Sequence, residues 1–242
     1  MAIEYKNLSL IGTSHIARQS VEDVKKAIEA KPDLVAVELD NNRLKALNQK
    51  KSRVRPGDIF RIGVAGFLFA LIGAWAQKKL GGIVGVEPGT EMLTAVRLAR
   101  KNRIPLEMID RDITITLARL SRNITWKEKL RVPFDIIKSI LFRKRELERL
   151  GIKSLDLTKV PPRKIIKALT KELKDKFPNV HKVLVEERNE HMARRLSGLM
   201  DSHPGQRIVA VVGAGHEEDI LGMVKKLDES KEISYQLTIG PQ

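Results

Sequence analysis

The sequence predicts an α/β fold with a mainly parallel or mixed central sheet flanked by helices, and three observations lead to this prediction. Short runs rich in valine and isoleucine recur along the chain and alternate with longer amphipathic segments. The 242 residues are 42% hydrophobic and 31% charged, which is typical of a soluble globular chain with a substantial core. A basic stretch over residues 112–202 lacks such runs and is broken by prolines, which indicates a mostly helical insertion between the fourth and fifth strands. We therefore expect a single domain over residues 1–242 that contains this insertion.

Each element follows from its local pattern. Residues 20–23 resemble a capping box at the start of the first helix, with Asp in place of Glu. Apolar residues at helical spacing from Met92 to Ala99 support a helix there. The apolar runs predict strands over residues 7–12, 34–38, 82–86, 105–109, 207–212 and 233–239. The other periodic segments predict helices over residues 20–30, 42–51, 58–79, 89–102, 182–199 and 217–226.

The segment 62–76, IGVAGFLFALIGAWA, carries no charge. It is shorter than the roughly 20 residues that cross a bilayer as a helix, and it is apolar on nearly every side. We expect a buried helix. The alternatives are contact with a second copy of the chain, as in a homodimer, or with a membrane surface. Either contact would cover the apolar patch, which favours aggregation when a patch of this size is exposed.

The formal net charge of +15 raises the question of nucleic acid or anionic lipid as a partner. The basic residues are spread along the chain and only 4% of residues are aromatic, so nucleic-acid binding is not favoured and a membrane-facing basic surface is the better alternative. The absence of cysteine excludes disulfides and thiolate chemistry. The first ten residues lack a signal-peptide pattern, so we expect the chain in the cytoplasm or on a cytoplasmic membrane face.

Histidine or acidic side chains follow five of the six predicted strands. These residues are His15, Glu38, Glu87, Asp110 and His216. Ligands of open parallel sheets bind in the crevice outside the carboxyl ends of the strands. One acid after a strand is commonplace, but five such groups at one edge predict a site.

Two similar phrases, GTSH at residues 12–15 and GAGH at residues 213–216, follow apolar runs. A dinucleotide-binding loop needs a third glycine, and acids at positions 217–219 would repel a pyrophosphate. We therefore expect no nucleotide cofactor. Glycine instead lets the chain turn sharply, which would bring an imidazole over the strand ends.

Two histidines and a carboxylate suit Zn, Mn, Co or Fe with open coordination positions. Without a metal, the same groups could act as general base and general acid on water. The sequence leaves both alternatives open. In the helix over 182–199, Asn189 falls within the apolar stripe and Arg188 lies next to it, so Arg188 could meet a carboxylate of the site or a substrate oxyanion. Glu187 and His191 have the i, i+4 spacing of a metal pair, although an exposed pair is favoured.

Six ordered motifs resemble the TraB/PrgY pheromone-shutdown family, which is related to the Tiki metalloproteases and, more distantly, to GumN, ChaN and erythromycin-esterase proteins. They are GTSHIA, VAVELDNNR, GVEPGTEM, IDRDI, VEERNEHMA and VVGAGHEEDI, and they span residues 8 to about 222. The resemblance implies that His15, Glu38 and His216 match essential residues of the relatives. Other motif positions of less settled role are matched by Arg43, Glu87, Arg111, Arg188 and Asn189.

The Tiki members are implicated as divalent-metal-dependent peptidases, the esterase relatives work without metal, and archaeal members usually continue into C-terminal membrane helices. We therefore predict a hydrolase that acts on a peptide or amide bond, with His15, Glu38 and His216 as ligands of Mn, Co or Zn or as acid–base groups. Glu87 is the predicted supporting acid and Arg188 the anion anchor. The predicted substrate-binding residues are Arg43, Arg111 and Asn189. The rivals are a non-catalytic regulatory protein that sequesters a peptide or small molecule, and a basic adaptor at a membrane surface.

Overall fold

A computed structural model of the chain describes residues 2–13, 18–49, 56–84, 89–128, 131, 135 and 163–239. The strands are β1 (Ile3–Tyr5), β2 (Leu8–Thr13), β3 (Leu34–Val37), β4 (Leu106–Met108) and β5 (Ile208–Gly213). The helices are α1 (Arg18–Glu29), α2 (Asn41–Gln49), α3 (Ile59–Val84), α4 (Thr90–Lys101), α5 (Ile113–Asn123), α6 (Arg163–Lys176), α7 (Pro178–His181), α8 (Glu187–Ser202) and α9 (Glu217–Ile239). A 3₁₀ turn (Pro56–Asp58) precedes α3, and a π-helical turn (Lys182–Glu186) joins α7 to α8.

The five strands form one mixed sheet in the order β1-β2-β5-β3-β4. The strands β2, β5, β3 and β4 are parallel neighbours, and β1 pairs antiparallel with the outer side of β2. The carboxyl ends of the four parallel strands therefore lie at one edge of the sheet, where Thr13 pairs with Gly213. The predicted α/β class with a mainly parallel or mixed sheet is confirmed.

Helices cover both faces of the sheet, because alternate side chains of the buried strands point to opposite sides. On one face, Leu10 and Ala210 pack against Met192 and Leu196 of α8 and Ile220 of α9. The other face packs against α1 and α4. The buried residues of that second layer include Val24, Ile28, Val35, Val37, Met92, Val96 and Val211.

The helical insertion also has its predicted place. The described parts of the chain between β4 and β5 form α5, α6, α7, the π-helical turn and α8. The single-domain boundary over residues 1–242 stays a prediction.

Three local predictions are wrong. Residues 82–84 belong to the end of α3 and residues 233–239 continue α9, whereas strands were expected at both places. Short apolar runs fit a buried strand and a helix equally well, and helical continuity decides both cases. Ser20 is not a helix cap, because α1 already begins at Arg18 and Ser20 is buried within it. Residues 85 and 86 of the other expected strand lie outside the described residues.

The apolar segment 62–76 lies within α3 and packs on one side against α5. A side chain at Gly66 would bring its Cβ within 2.5 Å of the Leu117 carbonyl oxygen, so glycine permits this close approach. The opposite side is exposed at Val64, Leu68 and Leu71, so the expectation of a fully buried helix is wrong for this face. A homodimer or membrane contact through this face stays a prediction. Among the helices that the structure describes, none combines the length and apolarity that a membrane span requires.

Candidate functional site

The carboxyl edge of the sheet gathers several of the predicted site residues. Glu38 directly follows β3, and His216 follows the end of β5 by three residues. Arg188 and Asn189 reach the same edge from the first turn of α8, where they contact Glu38 and His216. The predictions for His15 and Glu87 fall on positions 14–17 and 85–88, which lie outside the described residues.

Glu38 is the buried centre of this edge, with 1% of its surface exposed. Its backbone N–H donates to the Val211 carbonyl at 3.0 Å, which prolongs the pairing of β3 with β5 and fixes the start of the side chain. Its Oε2 accepts the Gly213 N–H at 2.6 Å, and its Oε1 accepts from Arg188 Nη2 at 2.5 Å. His216 Nε2 lies 3.8 Å from the same Oε1. The carboxylate therefore joins β3, the GAGH loop and α8.

Arg188 bridges two buried carboxylates. Its Nε and Nη2 donate to Asp110 Oδ1 and Oδ2 at 3.0 and 2.7 Å, in addition to the bond to Glu38. Its Nη1 donates to the Leu184 carbonyl at 3.2 Å. Burial alone would lower the pKa of Arg188, but the charges and hydrogen bonds of Glu38 and Asp110 raise this pKa above its ordinary value. The guanidinium is thus permanently charged, and most of its donors already serve the protein itself.

A second guanidinium also reaches Asp110. Arg43 Nη1 donates to Asp110 Oδ2 at 2.7 Å, so Asp110 lies between two arginines. Asp40 caps the start of α2, because its Oδ1 accepts the N–H groups of Asn42 and Arg43 at 2.7 and 3.0 Å. This cap directs Arg43 toward the edge. The two buried acids Glu38 and Asp110 therefore face two arginines, which limits the electrostatic cost of their burial.

The π-helical turn before α8 helps to aim these side chains. The Glu187 N–H donates to the Lys182 carbonyl, five residues earlier, instead of the usual four. One additional residue in a turn rotates the following side chains by about 100° around the helix axis. Such turns occur frequently at functional sites, and this one immediately precedes Arg188 and Asn189.

His216 is held from the side opposite Glu38. Its Nδ1 lies 2.6 Å from Asn189 Oδ1, and Asn189 is 1% exposed. Asn189 Nδ2 in turn donates to Asp219 Oδ2 at 3.3 Å. The His216 N–H donates to the Gly213 carbonyl at 2.8 Å, which closes the turn of the GAGH loop. Backbone and side-chain bonds therefore fix the imidazole together.

Glu217 links the two glycine loops, which sequence reasoning did not foresee. Its Oε1 accepts the Gly12 N–H at 3.2 Å, and the side chain is buried. A Cβ at Gly12 would lie 2.8 Å from Glu217 Oε2, so the first glycine of GTSH makes room for this carboxylate. The sequence indicated only that the acids at 217–219 would repel a pyrophosphate, and this contact was not predicted. The sequence signal for this contact was Glu217 itself, the acid that directly follows His216 of the GAGH motif.

Arg111 belongs to a neighbouring cluster. Its Nη1 donates to Glu187 Oε2 at 2.9 Å, and Arg119 donates to both Glu187 oxygens at 2.6 and 2.7 Å. No described contact joins Arg111 side-chain atoms to Glu38 or His216. The expectation of an exposed Glu187–His191 pair is wrong for Glu187, whose side chain is 14% exposed and held by two arginines.

Glu187→Gln is expected to reduce the acid sensitivity of the fold. Hydrogen bonds from Arg119 and Arg111 hold the pKa of Glu187 at about 2, below its ordinary 4.5, despite the opposing effect of burial. A carboxyl with a lowered folded-state pKa stabilises the protein above about pH 4.5, and this contribution is lost as the pH falls toward 2. Urea unfolding measures how much the free energy of unfolding falls between about pH 5 and pH 2. This fall should be on the order of 2 kcal/mol larger for the wild type than for the variant.

Glu190→Gln is the matched control, because Glu190 lies on the same helix, is 55% exposed and is 3.7 Å from Arg194. Its pH profile should follow the wild type. If the free energy of unfolding fell equally with pH in the wild type and in Glu187→Gln, the contribution assigned to the Glu187 carboxylate would be contradicted.

Within the part of the chain that the structure describes, no group of three or more His, Asp or Glu residues has the arrangement of a metal site. At the carboxyl edge, Glu38 Oε1 and His216 Nε2 are two such donors, and they lie 3.8 Å apart. A third ligand would have to come from the residues outside the described part, where His15 lies.

An open cleft of about 460 Å³ adjoins the GAGH loop. Ala214 and Gly215 of the loop line it, together with residues of α6, the π-helical turn and the start of α9. Asp219, which holds Asn189, also lines this cleft. The volume lies within the usual range for small-ligand pockets.

A family model described as the TraB/PrgY/gumN family matches residues 2–232. The chain is 38% identical over 230 residues to an uncharacterised protein of Methanocaldococcus jannaschii, a match that covers 94% of this chain and 55% of that protein. TraB domain-containing proteins of Bos taurus and Homo sapiens are each 26% identical, with 96% of this chain and 65% of each relative covered. The chain thus spans between 55% and 65% of the length of these curated relatives. Because the family match covers nearly the whole chain, the chain belongs to the TraB/PrgY/gumN family.

Proposed function

We propose that this chain is a hydrolase of peptide or amide bonds, with its reactive centre at His216 and Glu38. The observation that carries the proposal is the approach of His216 Nε2 to Glu38 Oε1, at 3.8 Å, on a sheet edge where Glu38 is buried and bonded to Arg188. Rigidly held imidazole and carboxylate groups in this position are suited to proton transfer. The adjoining cleft offers a place for a peptide segment beside the loop that carries His216.

The chain's own residues supply an acid–base route. His216 Nε2 accepts a proton from water while the water oxygen forms a bond to the carbonyl carbon of the substrate and the π electron pair of the carbonyl moves onto its oxygen. The resulting imidazolium is stabilised by the negative charge of Glu38 at 3.8 Å. The oxyanion then re-forms the carbonyl as the C–N bond breaks and the proton passes from Nε2 to the leaving amine, which gives the carboxylic acid and the amine and regenerates the neutral imidazole.

The donor set also fits a divalent ion of the Mn, Co or Zn type, with His216 and Glu38 as ligands and His15 as the predicted third. Metal-bound histidines and carboxylates are usually held by further hydrogen bonds, as Asn189 does for His216, and as Gly213 and Arg188 do for Glu38. Such an ion, when bound, would polarise the scissile carbonyl and lower the pKa of water.

The test combines metal analysis with peptide cleavage. The purified full chain is analysed for bound metal and then incubated with a mixture of unstructured peptides, with Mn²⁺, Co²⁺, Zn²⁺ or a chelator. We expect cleavage products by mass spectrometry, and their dependence on added metal separates the metal-assisted from the metal-free route. Peptide binding without cleavage under every condition would overturn the proposal and favour a protein that sequesters its ligand.

A further inference from the structure

We propose that Asn189 and Asp219 are positioning residues that hold His216 in the tautomer with its proton on Nδ1. The geometry of three side chains in a row carries this inference: Asp219 Oδ2, Asn189 and His216 Nδ1. The catalytic meaning of the tautomer depends on the proposed function, whereas the tautomer itself can be measured without any activity.

The first step concerns the orientation of the Asn189 amide. An ionised carboxylate only accepts hydrogen bonds, so the group that faces Asp219 Oδ2 at 3.3 Å must be the amide NH₂. The amide oxygen then faces His216 Nδ1 at 2.6 Å. Asn189 is 1% exposed, so bulk water does not compete for either group. Asp219 thereby decides which end of the amide His216 meets.

The second step concerns the imidazole. An amide oxygen has no proton to donate, so the short contact requires an N–H on His216 Nδ1. A neutral imidazole carries only one N–H, and its other nitrogen therefore holds a lone pair. That nitrogen is Nε2, which faces Glu38 Oε1 at 3.8 Å. The lone pair thus points to the place where the proposed reaction needs a base or a ligand.

This assignment gives Asn189 a different role from the substrate contact that the sequence suggested. Both polar atoms of its amide already bond to the protein, one to Asp219 and one to His216. Its removal would act on the reaction through His216. Loss of a comparable partner of a reactive or metal-bound histidine typically lowers activity or metal affinity about 10- to 100-fold.

The test measures the tautomer of His216 in the full chain labelled with ¹⁵N-histidine and treated with a chelator. Long-range ¹H–¹⁵N correlation spectra distinguish a protonated from an unprotonated ring nitrogen, and His216→Gln identifies the His216 signals among those of the five histidines. At a pH about two units above the usual histidine pKa of about 6.5, we expect protonated Nδ1 and unprotonated Nε2 in the wild type.

Asn189→Leu keeps the size of the side chain and removes the acceptor, so we expect the proton to move to Nε2, the nitrogen that free histidine prefers. Asp219→Asn allows the Asn189 amide to turn, and we expect a mixture of the two tautomers. The signals of His203 are the internal control, because its ring bonds to Ser202 and to the Leu199 carbonyl at the opposite end of α8. Unchanged His203 signals show that a variant is folded.

A wild-type His216 with its proton on Nε2 would overturn the proposal, and so would an unchanged tautomer in folded Asn189→Leu. If Asn189→Leu fails to fold, Asp219→Asn provides the test. If His216 keeps the wild-type tautomer in Asp219→Asn, this result counts against the proposal. A correct tautomer in a chain that cleaves no peptide would refute the hydrolase and leave the positioning pair standing.

Discussion

Arg188→Met is expected to lower the free energy of unfolding by about 3–5 kcal/mol. The side chains of Glu38 and Asp110 are each 2% exposed, and both direct carboxylate oxygens at the Arg188 guanidinium. Methionine fills much of the same volume, so the loss measures two buried charges left without this partner. Arg43 still contacts Asp110, whereas Glu38 retains the Gly213 N–H and the more distant His216. Urea denaturation followed by circular dichroism measures the change.

Arg194→Met is the matched control, because Arg194 lies on the same helix with its side chain 73% exposed and 3.7 Å from Glu190. Exposed ion pairs contribute about 0–1 kcal/mol, so this variant should remain close to the wild type. Equal stability of the two variants would refute the claim that Arg188 balances the buried acids.

The two central parallel strands, β3 and β5, could be predicted because they are buried on both faces. Leu34–Val37 and Ile208–Gly213 consist almost entirely of apolar residues, and each is followed by a polar side chain at the shared edge. The edge strand Ile3–Tyr5 has only three residues and no distinctive pattern, so tertiary pairing with β2 alone defines it. A strand was predicted at 233–239 because the segment contains β-branched residues, which are enriched in strands. These residues instead continue helix α9.

The sequence predicted that several polar side chains meet at this edge, and it offered a carboxylate as one of two partners for Arg188. The other contacts could not be predicted. Glu38 and His216 follow from strand ends, and Arg188 and Asn189 follow from polar residues on or beside the inner stripe of a helix. Their pairing depends on the π-helical turn, which changes the direction of α8 side chains and leaves no periodic signal in the sequence. His15 and Glu87 stay predictions.

His216→Ala is expected to lower peptide hydrolysis by about 10²- to 10⁴-fold, the usual contribution of a positioned acid–base group. The variant removes Nε2, which faces Glu38, and it leaves the Arg188 bridge between Glu38 and Asp110 in place. The fold should therefore survive, with a cost from the Asn189 oxygen that loses its partner. Initial rates of cleavage of a peptide found in the mixture assay measure the effect, together with the metal content of the variant.

His203→Ala is the matched control, because it removes a histidine that lies away from the carboxyl edge. His203 follows α8 at the other end of the helix, and Asn7 bonds to its carbonyl oxygen beside the start of β5, so its removal leaves the carboxyl edge intact. We expect wild-type rates from this control. Hydrolysis that persists in folded His216→Ala at the rate of His203→Ala would exclude His216 from the chemistry. Cleavage lost in His216→Ala with peptide binding retained would instead show that the edge binds its ligand through other groups and that His216 acts on the bond.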